Sequence, residues 1–246
     1  MRTSLARMTL VMALCCAASS VFADDAFNFN QSGNAKSTKG DYEGAIADYG
    51  RAIELKPTVA QGYYNRGNAK NHIGDFEGAL ADYNKAIELK PDFAPAYYNR
   101  GLVKNEMRNW AGAIADLTKA IELNPKDPEA YDYRGVAKAH NGDIDGAMAD
   151  FKKAIEFNPN DAVVYSNRGN MKRLHGDLDG ALADLTKAIE LKPDYALAYR
   201  NRSLVKKAKG DLKGAHADLQ KALALVSDVH GTVKSNSRSL SETNSQ

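Results

Sequence analysis

Residues 60–93 read AQGYYNRGNAKNHIGDFEGALADYNKAIELKPDF, and the chain repeats this phrase along most of its length. Tyr63, Arg66, Gly67 and Lys70 fall at i, i+3, i+4 and i+7, which is one face of a helix. Gly74 offers the left-handed residue that ends such a helix, and Asp75 can cap the next one. Phe76, Ala79, Leu80, Tyr83, Ala86, Ile87 and Leu89 then make a broad apolar stripe at helical spacing. Pro91 bars continuation. The phrase spells helix A, a tight turn, helix B and a second turn.

The period is 34 residues, set by Pro57, Pro91, Pro125, Pro159 and Pro193. Gly–Asp pairs keep the same step at Gly40, Gly74, Gly142, Gly176 and Gly210, with Arg108–Asn109 in their place once. Six repeats follow: 26–59, 60–93, 94–127, 128–161, 162–195 and 196–229. Position 20 of every repeat is alanine (Ala45, Ala79, Ala113, Ala147, Ala181, Ala215), and so is position 27 (Ala52, Ala86, Ala120, Ala154, Ala188, Ala222). Small residues let helices approach closely. No single repeat buries its own stripe, so stacking must supply a continuous core.

This spacing resembles the tetratricopeptide repeat family: an aromatic at 4, Gly or Ala at 8, Ala at 20, an aromatic at 24, Ala at 27, Pro at 32. In the second repeat these are Tyr63, Gly67, Ala79, Tyr83, Ala86 and Pro91. The resemblance implies an all-α, right-handed superhelical solenoid of six helix-turn-helix units, with helix A lining a concave groove that binds protein or peptide. The period separates it from the 35-residue pentatricopeptide RNA readers. Three positions depart from the family. Position 7, usually Leu, is Arg66, Arg100, Arg134, Arg168 and Arg202, with Ser32 in the first repeat. Position 11 is Lys and position 19 is Gly in all six.

The first 23 residues are of another kind. Arg2 and Arg7 precede an apolar run, Met8–Phe22, and Val21–Ala23 supplies small residues for cleavage before Asp24. This is the pattern of a secretory signal peptide, and its apolar run is short for a membrane span. Cys15 and Cys16 raise a lipoprotein reading, which lacks the small residue expected before the cysteine. Cleavage removes Arg2, Arg7 and both cysteines and leaves 31 basic against 31 acidic residues. A neutral chain argues against nucleic-acid binding. A thiol-free exported chain fits a periplasm or a secreted state, stabilised by packing alone. The Ser/Asn-rich stretch 230–246 reads as a disordered tail. With no capping helix after it, the last helix is expected to expose Leu219, Leu223 and Leu225, a surface for self-association.

No catalytic constellation stands out. His72, His140, His175 and His216 lie on different repeats, no metal set is apparent, and no phosphate loop or nucleophile elbow is present. The expectation is a non-enzymatic scaffold without cofactor.

The pair Asn–Arg inside "YYNRG" divides between two faces, because adjacent helical residues point about 100° apart. The Arg row faces helix B, where position 23 is Asp48, Asp82, Asp116, Asp150, Asp184 and Asp218. An ion-pair ladder that fixes register between repeats is expected, with Arg66 within reach of Asp82 or of Asp48. The Lys at position 11 is expected to snorkel over the seam. The Asn row faces the implied groove. Position 6 is Gln31, Asn65, Asn99, Tyr133, Asn167 and Asn201, and position 9 adds Asn34, Asn68 and Asn170. A row of amides, each a donor and an acceptor, can bond an extended peptide backbone. It is similar to the asparagine ladder of protein O-GlcNAc transferases. Tyr64 and Tyr98 join the row in the first half, and Arg173, Arg200 and Lys207 in the second, while Asp132 and Tyr133 break it in the middle. No three consecutive repeats match the family's carboxylate clamp.

Overall fold

The computed structural model describes residues 24–242, with side chains through Ser227. The leader read from residues 1–23 lies outside the described residues, as do residues 243–246. The described chain is helical throughout. Helix α1 spans 24–38, followed by α2 (Tyr42–Leu55), α3 (Ala60–His72), α4 (Phe76–Leu89), α5 (Ala94–Glu106), α6 (Trp110–Leu123), α7 (Pro128–His140), α8 (Ile144–Phe157), α9 (Ala162–Leu174), α10 (Leu178–Leu191), α11 (Ala196–Ala208) and α12 (Leu212–Glu242). Odd helices are the A helices of the repeats and even helices the B helices. No strand occurs among the described residues.

The chain divides into two compact parts, Met1–Pro125 and Lys126–Gln246. In the first part α3 pairs with α4 and α5 with α6, and α2 and α4 pack against the A helix that follows each. In the second, α7 pairs with α8, α9 with α10 and α11 with α12, while α8 and α10 again pack against the following A helix. This is an all-α solenoid architecture of helical hairpins.

The turn between helices A and B is built by two residues. Gly74 takes φ +79°, and its equivalents Gly40, Gly142, Gly176 and Gly210 also lie in the left-handed region. Asp75 follows and accepts a hydrogen bond from the Gly78 N–H at 3.0 Å, satisfying one open donor of α4. The third repeat does the same with other residues. Asn109 caps α6, and Arg108 holds φ 58° without being glycine. A left-handed non-glycine residue costs about 1–2 kcal/mol. Arg108→Gly is therefore expected to stabilise the chain by about 1 kcal/mol in urea unfolding. A loss of stability would show that the arginine side chain does more than fill the turn.

The glycine at position 19 now has a physical reason. It is the third residue of each B helix, and the capping Asp or Asn side chain folds over it. A Cβ at Gly78 would sit 2.1 Å from Asp75 Oδ2. At position 8 a Cβ at Gly67 would lie 2.8 Å from the Tyr83 ring, and one at Gly135 would lie 2.8 Å from Phe151. Helices A and B thus touch backbone to ring, and a larger residue there would overpack the seam. The alanines expected at the seams are buried, with Ala45, Ala79, Ala113, Ala147 and Ala181 fully so.

The last helix departs from expectation. It runs Leu212–Glu242, so the backbone of 230–242, expected from composition to lack regular structure, is helical. Ser227 stands where the other five repeats carry proline, and nothing there removes a donor from the helical ladder. No described helix is long and apolar enough to cross a membrane.

Candidate functional site

The two faces of helix A carry different chemistry. On the inner face, Arg66 Nε and Nη2 donate to the two oxygens of Asp82 at 2.9 and 2.7 Å. Lys70, one turn further on, brings Nζ within 2.8 Å of the same carboxylate. The triad recurs as Arg100–Asp116–Lys104, Arg134–Asp150–Lys138, Arg168–Asp184–Lys172 and Arg202–Asp218–Lys206. In the first repeat Ser32 and Lys36 serve Asp48. Two expectations are corrected here. Each Arg pairs with the Asp of its own repeat, so the pairs lock helix A to helix B rather than repeat to repeat. The Lys turns inward to the carboxylate instead of snorkelling, because it stands one helical turn from the Arg on the face of helix A that meets the Asp of helix B.

These carboxylates are buried, with only 3–6% exposure from Asp82 to Asp218. The guanidinium also rests on an aromatic ring. Its central carbon lies 5.4–5.8 Å from the centroid of the tyrosine three residues earlier, in each of the five Arg repeats. Contact with the preceding repeat is made by the remaining nitrogen and a neutral partner: Arg100 to Asn84 at 2.6 Å and Arg202 to Thr186 at 3.3 Å. Burial alone would raise the pKa of Asp218. Hydrogen bonds from Arg202 and Lys206 outweigh it and hold the group below the usual carboxylate range. Asp48 is held low by hydrogen bonds from Lys36 and Ser32.

The amide face is also partly engaged within the protein. Asn65 Nδ2 donates to Asn30 and Asn34 of the preceding repeat at 3.1 and 3.3 Å. Asn99 Nδ2 donates to the Tyr64 hydroxyl at 3.1 Å and to Asn68 at 2.8 Å. Asn167 Nδ2 donates to Asp132 at 3.0 Å. The position-9 amides are anchored from behind, Asn34 by Tyr49 and Asn68 by Tyr83, each hydroxyl donating at 2.8 Å. The amide donors therefore link one repeat to the next. Among the described residues the carbonyl oxygens of Asn99 and Asn167 accept no protein hydrogen bond, so at these two positions the row offers acceptors while the donors are taken up within the protein. The Asn65 oxygen accepts from Gln61. Sequence reasoning missed this use because it depends on how far consecutive A helices are shifted.

The other residues of this face are spread unevenly. Tyr64 packs on Phe93 and Tyr83 at centroid distances of 5.0 and 6.1 Å. Tyr98 and Asn201 are half-buried, Tyr133 and Arg200 exposed. Arg173 is held by Asn170, whose oxygen accepts from Nη2 at 2.9 Å and Nε at 3.2 Å. Asp132, also on this face, is buried at 8% exposure, its hydrogen-bond donor the neutral amide of Asn167. Burial pushes its pKa up from 3.8 to about 6, against the Asn167 hydrogen bond, with Asp161 and Glu129 adding to the rise. His72, one of the scattered histidines, stacks on Tyr42 with centroids 4.5 Å apart. Among the described residues no group of three or more His, Cys, Asp or Glu is placed to hold a metal ion.

A stack of two-helix hairpins with this capping, spacing and small-residue seam defines a helical-repeat scaffold. The family model described as "TPR repeat" matches residues 33–71, 67–107, 137–172 and 169–210. Models described as "Tetratricopeptide repeat" match 94–127 and 117–149. The chain belongs to the tetratricopeptide repeat family, whose members are typically non-catalytic scaffolds that bind proteins or peptides. No curated protein matches it by sequence. Among solved structures it is similar to YrrB, described as a TPR protein with an unusual peptide-binding site. That match has 26% identity and TM-score 0.60 and covers 77% of this chain and 97% of that one. It is also similar in fold to MamA from Desulfovibrio magneticus RS-1 (22% identity, TM-score 0.66, 70% and 97% covered). Pseudomonas aeruginosa pilF is a third (17% identity, TM-score 0.70, 80% and 90% covered).

Proposed function

We propose that this chain is an exported, non-enzymatic scaffold that binds extended protein segments along the outward face of its A helices, in the periplasm or outside the cell. The observation that carries the reading is the row of position-6 amides. The donors of Asn99 and Asn167 are fixed between repeats, so their oxygens are held in place as acceptors for the N–H groups of a bound backbone. Pre-fixed acceptors lose little entropy on binding. The likeness to YrrB supports peptide binding as the general activity, and the leader read in residues 1–23 supports export.

The test is replacement of Asn65, Asn99, Asn167 and Asn201 by alanine, read on an array of extended peptides. Binding is expected to fall at least tenfold while the helical circular-dichroism signal is kept. Because Asn65, Asn99 and Asn167 also join repeats, replacing each of these three is expected to cost about 1 kcal/mol of stability. Unchanged array binding by a folded variant would count against the reading.

A second reading rests on α12, which exposes Leu219, Leu223 and Val226, while Leu225, expected to be exposed, is partly buried. A self-associating chain would bury this strip. Sedimentation should then show a concentration-dependent size that Leu223→Asp removes. A strict monomer at all concentrations would end this reading.

A further inference from the structure

A cavity of about 280 Å³ opens between α7, α8 and α9, with Val136, Ile144, Phe151 and Met171 among its apolar walls and Asn167 and Asn170 also lining it. Its walls include two positions that carry a polar cross-link in the first two repeats but not in the later ones. In the first two repeats the aromatic at position 24 is tyrosine, and its hydroxyl meets the position-9 amide (Tyr49 with Asn34, Tyr83 with Asn68). In the fourth repeat the same positions are Phe151 and Val136. Neither the hydroxyl nor the amide is present, and Asn167 turns to Asp132 instead. Polar cross-links are thus replaced by an apolar recess. Leu174, also lining it, is 60% exposed. The volume is below the range of about 300–1,000 Å³ for drug-sized ligands and suits one large side chain.

The recess has a charged neighbour. Asn170, in its lining, holds the Arg173 guanidinium through two hydrogen bonds. Arg66, Arg100, Arg168 and Arg202 each pair with a buried Asp. Arg173 has no carboxylate within ion-pair distance among the described residues, and its planar fork is positioned by Asn170 to receive one.

We propose that this recess receives a leucine- or phenylalanine-sized side chain of an extended partner segment that carries an Asp or Glu beside it, whose carboxylate pairs with Arg173. The inference rests on the peptide-binding reading and gives it a specificity. The amide row reads any backbone, whereas the recess and Arg173 select an apolar residue next to an acidic one.

The experiment is selection of random nonamer peptides on the immobilised full chain, followed by fluorescence anisotropy of the enriched peptides with two recess variants and with the four-asparagine variant. Enriched sequences are expected to place Leu, Met or Phe within two residues of Asp or Glu. Ala139→Leu, which fills the recess, is expected to weaken them at least tenfold. Arg173→Glu, at a half-buried surface position, is expected to weaken them similarly and to favour versions with Lys in place of the acid. Enriched peptides without this signature, bound equally by both variants but lost in the four-asparagine variant, would overturn the recess and leave the amide row standing. If no peptide is enriched, both are overturned. If Ala139→Leu does not fold, the charge swap at Arg173 decides alone.

Discussion

Asp184→Ala is expected to destabilise the chain by about 3 kcal/mol or more in urea unfolding followed by circular dichroism. The Asp184 side chain is 7% exposed and is the common anion of Arg168 and Lys172. Removing it leaves two cations, at 19% and 21% exposure, with neither a partner nor full hydration. The penalty of a deserted buried charge exceeds the worth of the pair that is lost, because desolvation was already incurred on folding. Arg168→Met is expected to cost less, about 1–2 kcal/mol, since Asp184 keeps Lys172 and the stem still covers Tyr165. The order of the two variants is the sharper result. If Arg168→Met cost as much as Asp184→Ala, the triad would be acting mainly through the packing of the arginine. Because the site is largely shielded, raising salt should change the difference little, unlike that of an exposed ion pair. Each repeat contacts only its neighbours, so the loss should also blunt the cooperativity of unfolding within 126–246 rather than shift all repeats equally.

How much of this was legible in the sequence follows from the range of each interaction. The hairpin, its turn and the seam alanines are written within one period, because periodicity, capping and steric size act over a few residues. Arg108 is the informative case. Register alone placed it at the glycine position, and it holds φ 58° there. Two questions needed three-dimensional placement. One was whether Arg66 meets Asp82 or Asp48, which is decided by how helix A lies on its own helix B. The other was where the Asn65, Asn99 and Asn167 donors point, which is decided by the shift between successive A helices. Asp132 illustrates the same limit. Its letter breaks the Asn/Tyr pattern of the row, but only packing against α9 shows that the carboxylate is buried beside an amide and not a cation. The recess beside it is lined by Phe151 and Val136, at positions that are also apolar in the third and sixth repeats, so the letters alone do not mark it and only the packing of α7, α8 and α9 does.

Asp132→Asn should stabilise the chain at pH 8 and have little effect at pH 4. Asp132 is 8% exposed and accepts a hydrogen bond from Asn167, with Asp161 and Glu129 the charges that raise its pKa further. Its pKa in the folded chain is about 6, above its ordinary 3.8. For an acid raised in this direction the folded state binds the proton more tightly than the unfolded state. Stability is therefore highest below the ordinary value and is lost as pH rises from about 4 through about 6, with the full penalty above that. The gap between 3.8 and about 6 corresponds to at most about 3 kcal/mol. An asparagine of the same shape keeps a partner for the Asn167 amide and carries no charge at any pH. Thermal or urea unfolding across pH 4–8 should then show a falling limb for the natural chain that is flatter in the variant, with a gain of about 2 kcal/mol at pH 8. Asp48 and Asp218 do not obscure the result, because they are held below the usual range and lose their contribution only as pH falls beneath it. A variant less stable than the natural chain at pH 8 would mean that the carboxylate is compensated, and the uncompensated burial of Asp132 would have to be abandoned.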